Sequence, residues 1–272
     1  MRIALCQLPG NSDPGVNLRR VRDALRDAAV SGADLAVFPE ATMARFGSDL
    51  RAAAEPLDGP FCSDLAEAAK ETGVALVAGV FEPAPGERVY NTAVLIDGDG
   101  TLVASYRKLH LFDAFTQRES DLVAPGDAVV VTMLGGVPVG PQICYDIRFP
   151  ELTRALAVGG AALVTVSAAW QAGLFKEEHW VTLLRARAIE NTVWIAAVGQ
   201  VPDPDEKPTR APTGVGRSML IDPLGVVRSD LGPSAGVAVT NADMSLVDTV
   251  RATLPSLANR REDVFRFRPQ GQ

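Results

Sequence analysis

The stretch GPQICYDIRFPEL, residues 140–152, changes character at Cys144. Up to that point, from Val137, the residues suit a buried strand; after it come Tyr145, Asp146, Arg148, Pro150 and Glu151, and then an apolar-periodic segment. A thiol at a strand's end, followed by a polar corner and a helix, is placed like a nucleophile on an elbow, where backbone N–H groups converge near the sulfur. A cysteine in that place can equally be a small hydrophobe closing a core strand. The rest of the chain decides between the two.

Working outward, the chain alternates strands and helices. Residues 2–8 (RIALCQL) are a short apolar run bounded by Pro9-Gly10, and residues 17–30 carry Leu18, Val21, Leu25, Ala28 and Ala29 at helical spacing. Residues 34–38 (DLAVF) form the next strand, 61–71 a helix closed by Gly73, and 74–80 (VALVAGV) a third strand. Short connections between such units favour parallel pairing. Residues 88–96 and 101–106 flank the turn Asp97-Gly98-Asp99-Gly100 and read as a hairpin, which makes the sheet mixed. Near the elbow, 128–133 is expected as a strand, 152–158 as a helix and 161–167 as a strand. Residues 177–191 then form a long helix with Trp180, Leu183, Leu184, Ala188 and Ile189 on its apolar stripe. A strand over 193–200, an exposed proline-rich loop over 201–213 and a second hairpin around Asp222-Pro223-Leu224-Gly225 follow. The strand 237–242 and the helix 245–254 close the pattern, which divides into two loosely similar halves.

At 272 residues, the chain suits one large core, expected over 1–263, with a polar tail over 264–272 that either stays free or packs on a partner subunit. The net charge of -7 argues against a nucleic-acid partner or an anionic membrane, and no apolar run is long enough to span a bilayer, so a cytoplasmic protein is expected. Cys6, Cys62 and Cys144 lack the spacing of a zinc site or a disulfide framework, and His110 and His179 are the only histidines. Gly135-Gly136 and the glycines at 214 and 216 do not make a phosphate loop, so no cofactor is expected.

Two further polar residues sit at strand exits as Cys144 does. Glu40 follows the apolar run DLAVF-Pro39, and Lys108 follows TLVASYR. Alone, Glu40 reads as a helix cap or solvated carboxylate and Lys108 as a surface ammonium. Together, a carboxylate, an ammonium and a thiol at strand carboxyl ends supply a base, a charge for an oxyanion and a nucleophile without histidine.

The segments FPE (38–40), YRKLHLF (106–112), ICYDIRFPEL (143–152), RARAIEN (185–191) and GRSMLIDPLG (216–225) resemble, in order, those of the nitrilase, or carbon-nitrogen hydrolase, superfamily. The likeness runs from residue 2 to about 263. It implies an α/β fold, a four-layer α-β-β-α sandwich with two mixed sheets, that forms a homodimer through its helical faces. It also implies Cys144 as nucleophile, Glu40 as general base, and Lys108 as oxyanion stabiliser helped by the Tyr145 N–H. Glu119, in the polar connection 113–124, resembles the family's second glutamate, which holds the lysine and meets the substrate nitrogen. One carboxylate would then serve both half-reactions, so activity should fall at acidic pH.

CYDIRFPEL resembles the small-molecule amidase branch, which includes omega-amidases and deaminated-glutathione amidases. The implied partner is a small amide bearing a carboxylate. Arg148 and Arg45 are candidates to meet that carboxylate, although Arg148 can equally pair with Glu151 or Asp146. Trp170 and Phe115 either wall the pocket or pack the core. Rival readings are an N-carbamoyl hydrolase with the same catalytic groups, a thiol protease pairing Cys144 with His110 or His179, and a binding protein without activity.

Overall fold

In the computed structural model, which describes residues 1–272 except Thr116, Pro208, Glu262 and residues 265–272, β1 (Arg2–Gln7) is buried on both faces. Ile3 and Leu5 turn to one side, Ala4 and Cys6 to the other, as the two-residue period of a strand requires. Then come α1 (Pro14–Val30), β2 (Leu35–Val37), the single turn α2 (Leu50–Ala53), α3 (Pro60–Thr72), β3 (Ala75–Pro83) and the hairpin β4 (Val89–Ile96) and β5 (Leu102–Arg107). Next are β6 (Val123–Ala124), β7 (Thr132–Leu134), β8 (Val137–Ile143), α4 (Pro150–Val158), β9 (Leu163–Ala168), α5 (Lys176–Asn191) and β10 (Trp194–Gly199). The hairpin β11 (Met219–Ile221) and β12 (Val227–Asp230), then β13 (Gly236–Asn241) and α6 (Ser245–Thr253), complete the order.

The strands form two mixed sheets, ordered β13-β1-β2-β3-β4-β5, with β6 beside β4, and β12-β11-β10-β9-β8-β7. In each, three parallel strands are continued by an antiparallel pair and flanked on the other side by one antiparallel strand. The two halves therefore share a topology that their residues barely reveal. Val21, Leu25 and Leu65 of α1 and α3 pack on the outer face of the first sheet, and Leu156, Trp180 and Leu184 of α4 and α5 pack on the second. The result is the expected α-β-β-α sandwich; each fully buried Leu in it contributes roughly 1.5–3 kcal/mol.

Three helices begin earlier than periodicity alone suggests, each with proline at its first position, where the missing N–H costs nothing. For α1 the Asp13 carboxylate also accepts the Gly15 N–H at 2.7 Å. The strand expected over 128–133 shrinks to β7, because Pro141 in the neighbouring β8 has no N–H to extend the ladder. On α5, Ile189 is exposed; the buried face is completed by Arg187 and Asn191 instead. The 201–213 loop is not simply exposed. Its Asp203 is buried against Arg20 and Asn11, at 2.8 and 2.7 Å, so the loop is tied to the amino-terminal region. Pro208 and the tail residues 265–272, including Arg266 and Arg268, lie outside the described residues. Among the described residues no helix is long and apolar enough to cross a membrane.

Candidate active site

β8 ends at Ile143, and a 3₁₀ turn, Cys144–Arg148, starts at once. Cys144 has φ 48, the left-handed region that a side chain enters at a cost of about 1–3 kcal/mol. The strain is held by Asp146, fully buried beneath the turn. Its carboxylate accepts hydrogen bonds from the Ile143 N–H at 2.9 Å, the Tyr106 hydroxyl at 2.7 Å and the His110 N–H at 3.1 Å, and meets His110 Nδ1 at 2.8 Å. Arg187 of α5 adds a bond from Nε to the Ile147 carbonyl at 3.0 Å.

Glu40 is set by a second strained corner. Ala41 has φ 55, and the Thr42 hydroxyl donates to the Pro39 carbonyl at 2.7 Å. Beneath this corner lies Gly79 of β3, where an added Cβ would meet Ala41 N at 2.7 Å and the Pro39 oxygen at 2.9 Å. Gly79→Ala is therefore expected to push Glu40 out of register and lower kcat/KM by about 10²-fold, measured by steady-state kinetics beside a thermal melt. Wild-type kinetics in a folded variant would refute that role for Gly79.

The two corners bring Glu40 and Lys108 together. Lys108 Nζ lies 2.9 Å from Glu40 Oε1 and 2.8 and 3.0 Å from the two oxygens of Glu119, with all three side chains buried. Asn91 Nδ2 donates to Glu40 at 2.8 Å and to Glu119 at 3.3 Å. Backbone N–H groups also hold the carboxylates: Ala169 N to Glu40 Oε2 at 2.8 Å, and Phe112 N to Glu119 Oε2 at 2.6 Å. Burial alone would lower the Lys108 pKa, but the Glu119 and Glu40 carboxylates outweigh it and hold the ammonium well above its ordinary range. The Cys144 thiol is pushed well up, first by burial and then by Glu40, against the opposing pull of Lys108. At rest the cluster therefore holds a protonated sulfur beside a carboxylate that can take its proton.

Glu40, Lys108, Glu119 and Cys144 share one cavity of about 180 Å³ with Tyr145, Arg148 and Trp170. Arg148 does not pair with Glu151 or Asp146. Its guanidinium stacks over Trp170 at 4.8 Å and its Nη2 lies 3.4 Å from His179 Nδ1. Trp170 both walls the cavity and packs, with its Nε1 donating to the Lys176 carbonyl at 2.7 Å. Two expectations are corrected. Arg45 is outside the cavity because Glu206 of the 201–213 loop captures it at 2.9 Å. Phe115, with φ 52 at an exposed corner, lies at the rim, and Phe112 lines the wall in its stead. Neither histidine lines the cavity: His110 is bound to Asp146 and stacked on Phe149 at 3.7 Å, so no thiol–imidazole pair forms.

Sequence reasoning missed Asn91, Gln171 and Lys176. Asn91, a polar residue inside the apolar run of β4, carried a usable signal. Gln171 lines the cavity with a buried Oε1 that has no hydrogen-bond partner, and Lys176 enters it from the first residue of α5; neither stands out in the sequence. Among the described residues no group of three or more His, Cys, Asp or Glu is disposed to hold a metal ion.

A thiol, two carboxylates and an ammonium clustered at the strand ends of an α-β-β-α sandwich define a class of hydrolase acting on carbon–nitrogen bonds. The chain belongs to the carbon-nitrogen hydrolase family, whose model matches residues 2–252. It is 43% identical to Hydrolase Rv0480c of Mycobacterium tuberculosis (strain ATCC 25618 / H37Rv), over 97% of each chain. It is 34% identical to the deaminated glutathione amidase of Bos taurus, over 97% of this chain and 83% of that one. Among solved structures it is similar to an amidase of the nitrilase superfamily from Nesterenkonia sp. AN1, with TM-score 0.81, 30% identity, and 97% and 94% of the two chains covered. The protein is thus an enzyme that hydrolyses amides.

Proposed function

We propose that this chain hydrolyses a small carboxylate-bearing amide to a carboxylic acid and ammonia, through a thioester on Cys144. The observation that carries the reading is the 2.9 Å contact of Glu40 with Lys108 in the same cavity as the Cys144 sulfur. Glu40 takes the Sγ proton as sulfur attacks the amide carbon. The oxyanion forms between the Lys108 ammonium and the Tyr145 N–H, one of the first-turn donors that a helix leaves without an internal partner. As the tetrahedral adduct collapses, Glu40 returns the proton to nitrogen, so the C–N bond breaks with ammonia rather than amide anion as the leaving group. Water then occupies the vacated position, loses a proton to Glu40 and adds to the thioester; the acid departs and sulfur regains the proton. Glu119 fixes Lys108 and accepts from the substrate nitrogen, and Arg148 meets the substrate's carboxylate.

Two relatives support this reading. One is named as an amidase of deaminated glutathione. In a Glu-to-Gln mutant of the Nesterenkonia amidase, the acetamide moiety of fluoroacetamide is joined to the active site cysteine. The test is ammonia release across omega-amides, carbamoyl compounds and nitriles. Glu40→Gln is expected to slow turnover by about 10²–10⁴-fold. Lys108, held above its ordinary range by Glu119 and Glu40, should add no loss of rate at moderately alkaline pH. A folded Glu40→Gln protein that turns over at the wild-type rate would remove Glu40 as the base.

A further inference from the structure

Besides Lys108, two cations with no carboxylate partner among the described residues line the cavity: Arg148 and Lys176. Lys176 is only 6% exposed. Its Nζ makes no hydrogen bond among the described residues and rests on aromatic faces, 3.8 Å from the Phe115 centroid and 5.1 Å from that of Phe112. Such contacts return only part of the hydration that a buried ammonium gives up.

The backbone presents this side chain deliberately. Phe175, at φ 57, turns the chain immediately before Lys176, and Lys176 opens α5, whose amino-terminal end adds partial positive charge. Gly173 leaves room for the stem: a Cβ there would lie 3.3 Å from Lys176 Cγ. Burial lowers the Lys176 pKa first and the Arg148 charge lowers it further, so the two cations act on each other inside a partly dry space. An anion shared between them would relieve both costs.

We infer that Lys176 and Arg148 together hold one carboxylate of the substrate, so that Lys176 sets the preference for anionic over neutral amides. This rests on the amidase reading above. Arg148 is already fixed by Trp170 and His179; Lys176, whose Nζ has no hydrogen-bond partner among the described residues, closes the anion site from the other element. The positive charge, and not the length of the stem, is the feature the substrate reads.

The experiment compares succinamate with its neutral counterpart butyramide in wild type, Lys176→Met, Arg148→Met and the double variant. In Lys176→Met the ratio of kcat/KM for succinamate to that for butyramide should fall at least about tenfold, mainly through KM, as for the loss of one charge-assisted contact. Lys176→Arg should recover most of the ratio. Because both cations meet one group, the double variant should lose less than the product of the two single losses. Equal losses on both amides, or fully multiplicative effects, would overturn the shared site. Succinate binding by calorimetry separates this inference from the amidase reading. If wild type releases ammonia from no amide, the amidase reading fails, yet weaker succinate binding by Lys176→Met still supports the anion site. Unchanged succinate affinity in that variant overturns the site whatever the kinetics.

Discussion

Cys144→Ala protein is expected to release ammonia from the wild-type substrate more slowly by on the order of 10⁴-fold or more. No second thiol can take over. Cys6 and Cys62 are buried in the layer between the first sheet and its helices, and burial pushes the Cys62 thiol up to about 11. The substitution keeps the Cβ and removes only a half-buried sulfur, so Asp146 should hold the turn and the melting temperature should move by only a few degrees. A folded variant that keeps about one per cent of wild-type activity would mean that Glu40 activates water directly, and the thioester would have to be abandoned.

Lys108→Met should cost both activity and stability. It removes the only cation contacting Glu40 and Glu119 among the described residues, and leaving buried carboxylates uncompensated costs about 3–5 kcal/mol. Turnover should fall by about 10²–10³-fold with the loss of oxyanion stabilisation. The pH dependence follows from the raised ammonium. A group whose folded-state pKa lies above its unfolded value of about 10.4 contributes fully below that value and is lost as pH rises through the folded-state one. Urea unfolding should thus find the variant weakest against wild type at neutral pH, with the gap narrowing in strong alkali. Wild-type stability at neutral pH would contradict the picture of one ammonium bridging two buried carboxylates.

Much of this site was legible because each of its principal groups follows an apolar run. Glu40, Lys108 and Cys144 stand out where β2, β5 and β8 end; antiparallel β4 returns β5 in the direction of β2, so the Glu40 and Lys108 exits share one edge of the first sheet, and Cys144 joins them from the second. What stayed illegible depends on distant partners or on backbone turns. Arg45 looked available until the fold brought Glu206, 161 residues away, against it. Lys176 resembles any lysine before a helix until the left-handed Phe175 turns it inward. The extent of β7 hinged on Pro141 in a different strand. Local composition reports that a group is unusual, whereas its neighbours are chosen by the packing of the whole sandwich.

The base and the sulfur belong to opposite slabs of that sandwich. Glu40 leaves the first sheet yet is gripped by the Ala169 N–H of the second, and the Ser167 hydroxyl fastens the Phe38 carbonyl at 2.7 Å a few residues away. The slabs are thereby stitched at the rim of the candidate site. On the proposed mechanism, breathing of the layers would separate Glu40 from Cys144, so exchange of amide and ammonia is expected through the connecting segments around the mouth while these two bonds keep the slabs together.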